Sequence, residues 1–85
     1  MNQVEFTRRV REILLRDWDP CGVGDNEALG DEYDRYVPAI ARLLVRRISA
    51  EVVTNALVEI ESELGVSLPA QERELAVRAL LAILV

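Results

Sequence analysis

The sequence predicts an all-α fold: a compact bundle of about four helices forming a single domain over residues 1–85. Three observations predict it. Apolar residues recur every three or four positions along most of the chain. No run alternates apolar and polar residues with β-branched enrichment, as a strand would. Capping and helix-stopping residues punctuate the periodic segments.

Asn2, followed three positions on by Glu5, approximates a capping box. Phe6, Val10, Ile13 and Leu14 then recur at helical spacing, which predicts a first helix over 3–16. Asp17-Trp18-Asp19-Pro20 ends it, because Pro20 disfavours helical geometry at Asp19. Gly22, Gly24 and Gly30 keep residues 17–30 irregular and acidic.

A second helix is expected over 31–48, with Asp31 as N-cap and Glu32 and Asp34 in the first turn, where the macrodipole favours carboxylates. Its apolar face is Tyr33, Tyr36 or Val37, Ile40, Leu44 and Ile48. Pro38 interrupts this pattern. Either the helix kinks there, or a short turn over 31–36 precedes a helix that starts at Pro38. The third helix, 50–64, is capped by Ser49, carries Val53, Ala56, Leu57, Ile60 and Leu64 on one stripe, and ends at Gly65. The fourth, 69–84, opens at Ser67-Leu68-Pro69, with Leu75, Ala76, Ala79, Leu80 and Ile83 as its main face. Val77, Leu81, Leu84 and Val85 occupy its other faces, so its last two turns are apolar nearly all round. Such a helix is buried among several others or docks on another chain. Those four residues are the candidate self-association residues, for a homodimer.

Apolar residues make up 51% of the chain, enough for one small core. Uncharged runs fall far short of the ~20 apolar residues of a membrane span, and charge begins too early for a signal peptide. With one cysteine, Cys21, no internal disulfide forms. A cytoplasmic location is the default expectation.

The net charge is −5, and all ten basic residues are arginine. Residues 1–16 carry a net +2, 17–34 a net −7, 35–48 a net +4 and the remainder a net −4. The acidic balance argues against nonspecific nucleic-acid binding, which depends on neutralising phosphates.

The chain has no histidine, so the common general base, the serine triad and His-metal sites are absent. One cysteine cannot build a Cys-ligated zinc cluster. Carboxylates surround Cys21 in sequence and raise a thiol pKa, which argues against a nucleophile. Asp17, Asp19, Asp25, Glu27, Asp31, Glu32 and Asp34 could offer oxygen ligands to calcium. With Asp17 at position one of an EF-hand loop, Asp19, Gly22 and Asp25 fit positions three, six and nine, but Cys21 at five and Ala28 at twelve do not. Gly22-Val23-Gly24 is too short and too acidic for a phosphate-cradling loop. No cofactor is called for.

Trp18, Tyr33 and Tyr36 flank the acidic stretch. Two readings stay open. In one, they pack beneath the loop while its carboxylates cap helices or pair with Arg35 and the Arg8/Arg9/Arg11 group. In the other, Trp18, Asp19, Asp25, Glu27, Tyr33 and Tyr36 are candidate partner-binding residues on a surface suited to a basic protein.

Asp17-Trp18-Asp19-Pro20, Gly22-Val23-Gly24-Asp25 and Asp31-Glu32-Tyr33-Asp34-Arg35-Tyr36-Val37-Pro38 together resemble a family of short, all-helical bacterial proteins of unknown function. Its members share a Trp-Asp-Pro motif, a Gly-x-Gly turn and an acidic Glu-Tyr-Asp-x-Tyr helix start. The resemblance implies a helical fold and a bacterial source, and it supplies no catalytic or ligand residues. Cys21 stands where the pattern has a larger apolar residue, which weighs further against a thiol role.

The expected function is therefore that of a non-enzymatic protein–protein interaction module, with a basic protein or a second copy as partner and no nucleic acid or membrane. The alternatives are an immunity- or antitoxin-type inhibitor of a basic toxin, and a carboxylate-based divalent-metal-binding protein or enzyme.

Overall fold

The computed structural model describes residues 2–24 and 26–83, with the side chain of Glu27 left out. Four α-helices form: α1 (Gln3–Ile13), α2 (Val37–Val45), α3 (Ala50–Leu64) and α4 (Ala70–Ala82). No strand occurs among the described residues.

The Asn2 side chain accepts the Glu5 N–H at 2.8 Å and so caps α1. α1 does not stop at a break. It widens into a π-helical turn over Leu14–Trp18, closed by the Asp19 N–H on the Leu14 carbonyl at 2.8 Å. Asp17 and Trp18, expected in the loop, therefore extend the helix and align Val10, Leu14 and Trp18 on its buried side. Asp19 then turns left-handed, with φ 35°, and ends the element.

The expected second helix is broken rather than kinked. A 3₁₀ turn over Asp34–Tyr36 leads into α2, where Pro38 occupies the first turn. The N–H that proline lacks would have no helical partner there anyway. α2 ends at Val45, three residues earlier than the periodicity predicts. Arg47 adopts φ 54°, the Arg47 N–H bonds the Leu44 carbonyl, and the Ile48 N–H bonds that of Leu43, which together form a Schellman turn. α3 matches its expected bounds, from the Ser49 cap to the left-handed Gly65 at φ 74°.

α1 packs against α2 and α4, and α3 against α2 and α4, so the helices surround one core. The radius of gyration is 11.9 Å, matching the ~12 Å of a close-packed chain of this length. The buried face of α4 is Ala76, Val77, Leu80 and Ile83, rotated from the expected one, and Leu75 is exposed. Val77, expected to be available for self-association, is 4% exposed, and Leu81 packs against the core. The fold thus absorbs these two residues because α4 packs against α1, the π turn that continues it, and α3. Leu84 and Val85 lie outside the described residues.

Candidate interaction surface at the acidic turn

The segment between α1 and α2 is fastened from beneath. Trp18 is 3% exposed and Tyr33 1%, with ring centroids 5.4 Å apart and planes tilted by 52°. Of the two readings open for them, the one that packs them beneath the loop holds, and as core residues they are not the partner-facing candidates of the other. Their aromatic area lies against the bundle, which gains more from burying it than a solvated surface would.

Their polar tips are each satisfied inside. The Tyr33 hydroxyl donates to Asp19 Oδ1 at 2.8 Å and accepts the Cys21 N–H at 2.9 Å. Burial pushes the Tyr33 phenol well above its ordinary pKa; the Cys21 N–H opposes this, and the bond to anionic Asp19 adds to it. Asp19 is half-buried and also accepts the Val23 N–H at 2.8 Å and the Gly24 N–H at 2.9 Å. One carboxylate thereby gathers three donors and folds the turn around itself. Gly24 fits because a Cβ there would collide with the Leu15 carbonyl oxygen and crowd Asp19.

At the far side of the turn, Arg11 clamps the returning chain. Its Nε donates to Asp34 Oδ1 at 2.6 Å and its Nη2 to the Gly30 carbonyl at 2.8 Å. Tyr36 is half-buried against the core, with the Arg35 guanidinium 5.6 Å from its ring centroid. Asp25 lies outside the described residues, as does the side chain of Glu27, whose backbone opens a 3₁₀ turn over Glu27–Leu29.

Asp17, Asp31 and Glu32 are exposed, and no arginine among the described residues pairs with them. No group of three His, Cys, Asp or Glu side chains among the described residues is close enough to hold a metal ion. Cys21 is exposed.

Sequence reasoning missed the anchor of this platform, Glu61 on α3. It is 2% exposed and accepts four hydrogen bonds. Trp18 Nε1 reaches its Oε2 at 3.0 Å and Arg73 Nε the same oxygen at 2.8 Å, while Arg73 Nη2 at 2.6 Å and the Leu68 N–H at 2.9 Å reach Oε1. Burial alone would raise its pKa, but the donors from Arg73, Leu68 and Trp18 prevail and hold it at about 2. A signal was present. Glu61 stands four residues after Leu57 and one after Ile60, inside the apolar stripe of α3, so a partner had to be found for it.

No helix among the described residues is long and apolar enough to cross a membrane. In comparisons with family models, curated proteins and solved structures, the chain matches none.

Proposed function

We propose that the protein is a non-enzymatic interaction module that presents the acidic turn to a basic protein partner in the cytoplasm, where its exposed thiol stays reduced. One observation carries this reading. The turn's inward groups are fully bonded, whereas Asp17, Asp31 and Glu32 face solvent without ion-pair partners among the described residues. A surface held in one conformation loses little entropy when a partner binds. Unpaired like charges on it speed encounter with a basic face and repel acidic competitors.

On this reading the buried groups and the outward carboxylates take different parts. Trp18, Tyr33 and Asp19 support the surface, and the outward carboxylates form it. Replacing Trp18 would therefore report on stability rather than on recognition.

Affinity capture from the native host tests the reading, with the wild type compared against Asp17→Asn/Asp31→Asn/Glu32→Gln. The expected result is that the wild type retains a basic protein that the variant loses, at equal thermal stability. Equal capture by both proteins would overturn it.

A further inference from the structure

An open groove of about 900 Å³ runs between the start of α1 and one side of α2 from Pro38 onward, reaching Ile83 beyond α4. Its apolar floor includes Phe6, Ala41 and Val45, and Val45 is 65% exposed. Arg42, Arg46 and Arg47 line it, with no carboxylate in the lining and no ion pair to any of them among the described residues. Arg46 and Arg47 sit at the negative end of the α2 dipole. That end carries roughly half a charge, too little to offset three guanidinium groups.

The groove and the acidic turn meet α1 at different levels: Gln3, Phe6 and Thr7 line the groove, whereas Arg11, one helical turn on, holds Gly30 and Asp34 of the turn. The turn carries its own apolar contact, because Leu29 is 38% exposed just before Asp31 and Glu32. An apolar side chain flanked by carboxylates on the turn complements an apolar floor flanked by arginines in the groove.

We infer that the groove receives the acidic turn of a second copy of this chain, with Leu29 against Phe6 and Val45, and Asp31 and Glu32 against Arg42 and Arg46. This inference rests on the functional reading above and replaces its basic protein with the arginine-lined face of a chain that is itself net acidic. A twofold pairing of grooves would set arginines against arginines, so every contact pairs a turn with a groove, whether reciprocally in a twofold dimer or head-to-tail. Arg42 and Arg46 are one helical turn apart and share a face, about 6 Å from each other, within reach of adjacent carboxylates.

Sedimentation velocity on the full chain tests this. At low ionic strength the wild-type average mass is expected to rise with concentration. In about 1 M salt, where the screening length is about 3 Å, it should return to that of the monomer. Arg42→Glu/Arg46→Glu and Asp31→Arg/Glu32→Arg should each self-associate at least about tenfold more weakly. Mixed together, they should associate with each other more strongly than either does alone, because each reversed face then meets its opposite charge. If a charge reversal disturbs folding, Asp31→Asn/Glu32→Gln replaces it and should weaken assembly in the same direction.

A wild type that stays monomeric at low salt overturns the inference, as does self-association that Arg42→Glu/Arg46→Glu leaves unchanged. So does a monomer that sediments with phosphatidylserine vesicles through Arg42 and Arg46, which would make the groove a lipid site. A monomer whose acidic turn still captures a basic host protein overturns self-association alone. A monomer that captures nothing overturns the functional reading as well.

Discussion

Two carboxylates organise this molecule, and they do so in opposite settings. Asp19 is half-buried in the acidic turn and gathers neutral donors, two backbone N–H groups and the Tyr33 hydroxyl, from residues within the same loop. Glu61 is buried between α3 and α4 and relies on a guanidinium that is itself mostly buried, together with Trp18 from 43 residues away in sequence. Asp19 shapes a local turn. Glu61 joins that turn to the bundle, since Trp18 touches Tyr33 on one side and Glu61 on the other. The acidic turn therefore depends on a charge that lies beneath it and outside the acidic stretch.

The largest effect should come from breaking the buried pair. Arg73→Met leaves Glu61 without its cation and is expected to cost about 3–5 kcal/mol in urea unfolding. The Arg73→Met/Glu61→Gln double variant should recover part of that loss, because no uncompensated charge remains. The same pair predicts the acid limb. Glu61 has a folded pKa of about 2 against an ordinary 4.5, so the folded state holds fewer protons than the unfolded state between those values. Its contribution, ~3 kcal/mol, is therefore complete above the unfolded value and is lost as pH falls toward the folded one. In Glu61→Gln, stability measured between about pH 5 and pH 2 should fall less steeply than in the wild type.

Trp18→Phe keeps most of the packing but removes one donor to a charged acceptor, with an expected cost of about 1.5–3 kcal/mol. Tyr33→Phe should cost less, about 1–2 kcal/mol, because it orphans the Cys21 N–H in a part-buried site. Tyr33 also sets an alkaline limb of the opposite sign. Its folded pKa is raised, so its contribution is complete below the ordinary phenol value near 10 and is lost as pH rises above it. Denaturation near that pH should show a decline that Tyr33→Phe lacks. The smallest effect belongs to Arg11→Met. Its pair with Asp34 is nearly half exposed on both sides, so the loss should stay within about 1 kcal/mol and shrink further in salt.

The helices were legible in the sequence where their signals are local. α3 matches its expected bounds because the Ser49 cap and Gly65 are each read from their own neighbourhood. The end of α2 was not, since Arg47 takes the left-handed position that glycine usually holds and nothing in its residue type announces it. The π turn at Leu14–Trp18 has no composition signature, and it decides that Trp18 points inward. For the acidic segment, the sequence left open which residues face out. That assignment depends on Trp18 meeting Glu61 and on Arg11 meeting Asp34, contacts between distant positions that periodicity does not encode.

The central claim is that the acidic turn is a fixed platform, bonded inward through Asp19 and Tyr33. Residue-resolved amide hydrogen exchange tests it most directly at Cys21, Val23 and Gly24, whose N–H groups bond to those two side chains. The account predicts protection at all three in the wild type, approaching that of the helices, and its loss at Cys21 in Tyr33→Phe. Exchange at the rate of an unstructured chain at these three positions would contradict it.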